Sequence, residues 1–328
     1  MSGYAELSRM AFGAVTTQIL HAAVRLGLPE ALRCAPAPLD RLARDLGADP
    51  GTLARLLAAL TALGVTAQPL PGHYTLTDLG QPLRADHPRS MRSGLLLLGD
   101  GAVWQAWGTL ADSVRTGATA FDQVHGRPLF DHLAEHPALA RTFNTAMREG
   151  TGPVAADLPE AVDLTGARTV VDVGGGDGTL LAAVLAALPQ ARGILLDTAS
   201  GSAESAVTLR GVAGRCTVEA GDFFTAVPTG DLMTLKGILH DWDDERCALI
   251  LRACRTAIEP GGRLLVLEPV LPSRQAVMSD IAMLVYTGGR ERDGQEYRRL
   301  LSKAGFELCG VSRPLGGTQV RALIAKPA

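Results

Sequence analysis

A single imidazole in acidic company is the chemistry most visible in this sequence. His240 lies in Leu235-Lys236-Gly237-Ile238-Leu239-His240-Asp241-Trp242-Asp243-Asp244-Glu245, just past an apolar run and ahead of an acid-rich helix start. A carboxylate on one ring nitrogen fixes a histidine's tautomer and stabilises its imidazolium, so the other nitrogen can move a proton. Two carboxylates stand where they could do this. Glu268 closes Leu265-Val266-Leu267-Glu268-Pro269, whose other residues argue for burial, and Glu291 sits in the glycine-led turn Gly288-Gly289-Arg290-Glu291-Arg292. Alone, His240 reads as a satisfied structural group and Glu291 as an exposed turn residue; together the three make a proton-moving set. Asp243 and Asp244 read as helix capping and macrodipole complement. Asp241 and Tyr286 are candidate substrate contacts.

A second constellation suits a nucleoside. Val170-Val171-Asp172-Val173-Gly174-Gly175-Gly176-Asp177-Gly178-Thr179 runs an apolar strand into a glycine-rich turn that opens a helix. Asp172, Gly174, Gly176 and Gly178 are its candidate cofactor contacts, since glycine lets backbone approach a ligand where a Cβ would clash. A dinucleotide fingerprint wants Gly or Ala at 179; this chain has Thr179, and no Gly-Lys-Ser/Thr phosphate cradle. Asp197, ending the second strand, is placed to accept from ribose hydroxyls, a feature that nicotinamide and S-adenosylmethionine sites share. Gly221-Asp222-Phe223-Phe224 separates them: Asp222 suits an adenine amino group and Phe223 its ring, against the plainer reading of a turn with a buried Phe pair. Lys236, in an otherwise apolar strand, either snorkels to the edge or meets a ligand. Trp242 stacks on adenine or merely packs.

The elements that must carry these residues follow from periodicity. From residue 165, strands near Thr169–Val173, Gly193–Leu196, Cys216–Glu219, Leu232–Lys236 and Arg263–Glu268 alternate with helical stretches such as Leu180–Leu188 and Cys247–Ile258. Repeated βα units build a parallel sheet with helices on both faces. Phe306–Val311 and Val320–Ala325 flank Pro314-Leu315-Gly316-Gly317, so the sheet is expected to end in an antiparallel hairpin. The expected class is α/β, a mostly parallel Rossmann-like sheet behind a mainly helical N-terminal part.

That N-terminal part reads as helices at Ile19–Leu28, Leu39–Leu46 and Pro50–Leu63, then a hairpin of Val65–Gln68 and Tyr74–Leu76, a winged-helix arrangement. Such a unit often binds DNA, but its would-be recognition helix offers only Arg55 as a cation, so a dimerisation or substrate-roofing role is expected. Between Ser90 and Gly150 a helical pattern carries Trp104, Trp107, Phe121, Phe130, Phe143 and Met147, either as plain core or as the lining of a flat apolar pocket. The expected division is 1–90, 91–150 and 151–328.

Composition bounds the partners. The chain has 328 residues, 47% hydrophobic, enough for two cored domains, and a net charge of −3 with no long basic run argues against nucleic acid or an anionic membrane. The start has no basic n-region or apolar h-region, and Leu95–Leu98 is far too short an apolar run to span a bilayer. Five cysteines form no CxxC and no His-linked metal spacing, which reads as reduced thiols in the cytoplasm and no metal.

These motifs, with Leu76-Thr77-Asp78-Leu79-Gly80, Phe143-Asn144-Thr145-Ala146-Met147 and Lys303-Ala304-Gly305-Phe306, resemble those of caffeic-acid-type plant O-methyltransferases and their bacterial polyketide-tailoring relatives. The resemblance covers nearly the whole chain. It implies a homodimer whose winged-helix regions interlock, S-adenosylmethionine as cofactor, and an aromatic small-molecule acceptor in secondary metabolism. It implies His240 as general base flanked by Glu268 and Glu291. Asp197, Asp222, Phe223, Lys236 and Trp242 would contact the cofactor, and Phe143, Asn144 and Met147 would face the acceptor, with Trp104 a further candidate there. Two positions depart from the pattern. Asp197 leads into Thr198-Ala199-Ser200-Gly201 where Leu-Pro is usual, and Asp293 replaces a Thr, as a helix cap. The alternative within the same fold uses S-adenosylmethionine as an unconsumed charge for hydroxylation, decarboxylation or rearrangement.

Overall fold

Leucine spacing and turn glycines set the first unit. The computed structural model describes residues 3–328, which divide into two units, through Trp104 and from Gln105. The first opens with α1 (Gly3–Ala11), α2 (Gly13–Arg25), α3 (Leu28–Ala31), β1 (Ala37–Pro38), α4 (Leu39–Leu46) and α5 (Pro50–Ala62). Asp49 caps α5 by accepting from Thr52 N, and Leu53, Leu57 and Leu60 form its buried stripe. β2 (Thr66–Leu70) and β3 (His73–Leu76) follow, then α6 (Arg92–Leu98). The expected wing is present, with an additional strand: β1 pairs β3, Ala37 opposite Tyr74. Two residues, one of them proline, carry no strand periodicity, so the sequence did not show it. The core joins Val24, Leu28, Leu42, Leu57, Leu60, Leu76 and Leu95.

After α7 (Gly101–Trp107) the second unit continues with α8 (Leu110–Thr116), α9 (Ala120–His125), α10 (Leu129–Glu135) and the long α11 (Pro137–Ala161). The alternating part is β4 (Thr169–Val173), α12 (Thr179–Ala187), β5 (Arg192–Asp197), α13 (Ser205–Thr208), β6 (Cys216–Ala220), β7 (Gly230–Lys236), α14 (Asp244–Ala257), β8 (Ile258–Leu271) and α15 (Arg274–Tyr286). β9 (Arg292–Asp293), α16 (Gly294–Lys303), β10 (Phe306–Val311) and β11 (Val320–Pro327) end the chain. The sheet runs β10-β11-β8-β7-β4-β5-β6, with β9 beside β8. The inner pairs are parallel, and β11 is antiparallel to both β10 and β8, as the sequence pattern required.

Strand alternation sends side chains to two cores. Val171, Val173, Met233, Leu235, Leu264 and Val266 pack against Ile250, Leu251, Leu300 and Leu301; Val170, Leu195, Leu232, Leu265 and Leu267 pack against Leu158, Leu181 and Val184. Each such leucine contributes roughly 1.5–3 kcal/mol by leaving water. With both faces covered, the carboxyl edge of the adjacent strands β4, β7 and β8 is where polar chemistry can surface. Among the described residues, no helix is long and apolar enough to cross a membrane, and all five cysteines are unpaired.

Candidate active site

The glycine turn leaves β4 and caps the strand's polar end. Gly174, Gly176 and Gly178 take φ values of 68°, 58° and 83°. A Cβ on Gly174 would come within 2.5 Å of Ile238, whereas one on Gly176 would meet nothing within 4 Å, so the turn is tight beneath and open above. Asp172 lies under it, 1% exposed, with Oδ1 accepting from Thr234 Oγ1 at 2.6 Å and Oδ2 without a partner. Burial pushes its carboxyl up to about 7, against the Thr234 hydrogen bond. Asp197, at the end of β5, accepts from Gly176 N at 2.7 Å through Oδ2 and from Thr198 N at 2.7 Å through Oδ1. The loop after it, expected to depart from the family course, closes on itself: Gly201 N donates to Thr198 Oγ1 and Ser202 Oγ to Thr198 O. An open glycine backbone beside a carboxylate with spare lone pairs fits a ribose-bearing cofactor.

Around this turn the aromatic residues form a chain of contacts. Phe223 meets Phe224, Phe224 meets Trp242 edge-on at 5.0 Å, and Trp242 stacks on Phe130 at 5.7 Å, which meets Phe143 edge-on. Arg246 lies over Trp242. Asp222 is exposed and accepts from Phe224 N through Oδ1. Lys236 lies near Glu268, Asp241 and Asp172; burial lowers its pKa, and these three carboxylates oppose that. Of the residues expected near the acceptor, Asn144 donates to Ser200 O at 3.0 Å and Met147 is 44% exposed. Tyr286 Oη accepts from Trp107 Nε1 at 2.7 Å. Trp104, on α7, is half-buried and closes the first unit.

The acid–imidazole cluster assembles at the ends of β7 and β8. His240 occupies a short 3-10 turn after β7, and its Nδ1 donates to Glu291 Oε1 at 2.9 Å. Glu268 Oε2 lies 3.4 Å from the same nitrogen, and Nε2 is 3.9 Å from Asp241 Oδ1. Glu268 and Glu291 are 0% and 1% exposed, and each keeps one oxygen without a hydrogen-bond partner. Burial alone would lower the pKa of His240, but Glu268, Asp241 and Glu291 together outweigh it and raise it to about 10. Burial pushes the Glu268 carboxyl up to about 7 and that of Asp241 to about 6, with the His240 charge opposing both. The three donor groups of His240, Glu268 and Glu291 lie within 4.8 Å of one another, a spacing that could also hold a divalent ion.

Several partners escaped the sequence reading. Ser279 Oγ donates to Glu291 Oε1 at 2.7 Å, and Asp280 Oδ1 accepts from Glu291 N; both sit within α15, with no local signal marking them. Phe130 and Phe224, both already named in the sequence patterns, extend the aromatic contacts through Trp242. Asp243 caps α14 as expected, but Asp244 also pairs with the buried Arg292. Asp293 caps α16 in a capping box with Glu296, as expected.

Comparison with known proteins identifies this arrangement. Residues 107–307 match the O-methyltransferase domain and residues 8–85 the O-methyltransferase dimerisation domain. The chain belongs to the O-methyltransferase family. It is 42% identical over 97% of its length, and 88% of the relative's, to O-demethylpuromycin-O-methyltransferase of Streptomyces alboniger. It is 37% identical over 93% of its length, and 84% of the relative's, to aclacinomycin 10-hydroxylase RdmB of Streptomyces purpurascens. Among solved structures, LaPhzM superposes with a TM-score of 0.95 at 36% identity, both chains covered in full. NcsB1 of neocarzinostatin biosynthesis, solved with S-adenosylmethionine and 2-hydroxy-5-methyl naphthoic acid, gives 0.81 at 30% identity over 95% of this chain and 96% of its own. The O-methyltransferase family sets the nicotinamide reading aside.

Proposed function

We propose that this enzyme transfers the methyl group of S-adenosylmethionine to a hydroxyl of an aromatic small molecule in secondary metabolism, with His240 as general base. The observation that carries the reading is the Nδ1 contact with Glu291, which commits that nitrogen and leaves Nε2 to exchange a proton. Asp172, Gly174, Gly176, Gly178, Asp197, Asp222, Phe223, Lys236 and Trp242 are the residues proposed to hold or shape the cofactor site. When bound, S-adenosylmethionine supplies a methyl group already activated on a sulfonium. The protein's own task is therefore to take the acceptor's proton. A phenol near pKa 10 facing an ordinary histidine near 6.5 leaves that transfer uphill by about 3.5 units, roughly 5 kcal/mol. With carboxylates raising the His240 pKa to about 10, transfer from a phenol to the neutral imidazole is close to thermoneutral, and the cost moves to freeing that imidazole of its own proton at neutral pH. Glu291 and Glu268 keep the ring oriented. Asp241, facing Nε2, is proposed to contact the acceptor, with Trp104, Phe143, Asn144, Met147 and Tyr286 as further contacts.

The reading uses no metal and places the protein in the cytoplasm as a homodimer. Tyr4, Leu7, Met10, Phe12 and Val15 expose 84%, 69%, 53%, 65% and 50% of their surface along α1 and α2, an apolar face suited to a second copy. The similarity to the hydroxylase RdmB favours one rival, in which the cofactor is not consumed. The deciding measurement is formation of S-adenosylhomocysteine stoichiometric with methylated product. His240→Ala is expected to abolish most transfer while leaving cofactor binding intact by calorimetry; wild-type turnover in that variant would refute the base assignment.

A further inference from the structure

Arg292 is the largest fully buried side chain among the described residues, yet it touches no reacting group. Its Nη1 donates to Leu239 O at 2.9 Å and its Nη2 to Trp242 O at 2.8 Å. These carbonyls bracket His240 and Asp241. Asp244 Oδ1 holds the fork in place, accepting from Nε at 3.0 Å and Nη2 at 2.8 Å. Cys247 Sγ reaches the same two carbonyls, at 3.1 and 3.5 Å. From the other side, Glu268 Oε1 accepts from Ile238 N at 3.0 Å and Leu239 N at 2.9 Å. The histidine turn is gripped through its backbone on both sides.

We propose that Arg292 is a positioning residue that sets the orientation of the His240 imidazole by fixing the carbonyls on either side of it. Chain geometry links this grip to the acid. Arg292 pairs with Val270 of β8, and Glu291 immediately precedes it. Glu291 lies one residue before β9, so one short stretch delivers a carboxylate to Nδ1 and a guanidinium to the flanking carbonyls. Movement of the turn would break both together. A lysine cannot reproduce the grip: a planar fork serves two carbonyls and a carboxylate at once, whereas an ammonium is a point charge on a flexible stem.

The inference rests on His240 being the base, and its test separates the two. Arg292→Lys is expected to lower kcat about 10- to 100-fold with the cofactor's KM little changed. Its kcat–pH limb should move to lower pH, because an imidazole displaced from Glu291 and Glu268 returns toward its ordinary value. Asp244→Asn, at an exposed position, loosens the fork without emptying a buried site and should shift kcat and the limb the same way by a smaller factor. In a His240→Ala background, Arg292→Lys should cost almost nothing more. The proposal is overturned if folded Arg292→Lys and Asp244→Asn keep the wild-type rate and pH limb, or if Arg292→Lys costs the same factor with and without His240. If Arg292→Lys does not fold, Asp244→Asn decides alone. Unimpaired turnover in His240→Ala would instead remove the base assignment itself.

Discussion

Oε1 of Glu291 accepts from His240 Nδ1 at 2.9 Å and from Ser279 Oγ at 2.7 Å, so the acid on the proposed base is itself held by a helix. Glu268 differs: its Oε1 is committed to the Ile238 and Leu239 amides, and only Oε2 faces the ring. One carboxylate aims the imidazole, and the other anchors the turn while adding charge.

Substitution should reveal this division. In Glu291→Gln the amide can still accept through oxygen, so ring orientation survives while the charge is lost; kcat is expected to fall about 10-fold. Glu268→Gln should cost more, about 100-fold, because either its oxygen leaves the two amides or its NH2 faces the Nδ1 proton. Steady-state kinetics on both variants decides the order, and a larger loss in Glu291→Gln would reverse the roles assigned here.

The pH profile carries the sign of the His240 shift. A base raised to about 10 is mostly protonated at neutrality, so kcat/KM for a phenol of ordinary pKa should climb with near-unit slope from about pH 6 to pH 9. For an acceptor acidified to about pKa 7, the rate should level off above about pH 7, since phenolate and imidazolium already coexist there. An ordinary phenol giving a flat profile between about 7 and 9 would mean that His240 titrates near 6.5 and that the carboxylates do not raise it.

Gly289 has no room for a side chain. A Cβ there would lie 2.0 Å from His240 O and 2.4 Å from Asp241 C, and backbone cannot yield cheaply. Gly289→Ala should push the histidine turn away from Glu291, with kcat falling about 100-fold and stability by about 1–3 kcal/mol. Retained activity would show that the turn tolerates displacement.

The apolar face of α1 and α2 predicts the oligomeric state. Leu7→Glu with Met10→Glu places two charges on residues 69% and 53% exposed, so the fold of one copy should tolerate them while a self-association surface should not. Light scattering is expected to show a dimer for the parent and a monomer for the double variant; an unchanged dimer would move the interface elsewhere.

The sequence by itself determined the elements and the identity of the chemical groups. Periodicity 2 and 3.6, turn glycines and caps are local properties, so α4, the hairpin β2–β3, the glycine turn after β4 and the caps at Asp243 and Asp293 were readable from neighbours in the chain. The strand β1 was not, because two residues have no period. Tertiary structure decided how the cluster is supported. Ser279 and Asp280 look like ordinary residues of a helix, and Arg292 like a charged turn residue, until β9 pairs with β8 and draws the 288–292 segment onto the end of β7. Contacts between residues tens of positions apart depend on sheet register, which no local pattern encodes. Only the tertiary structure gathers Glu268, Asp241 and Glu291 around His240, which raises the imidazole's pKa against its own burial, while burial raises that of Glu268.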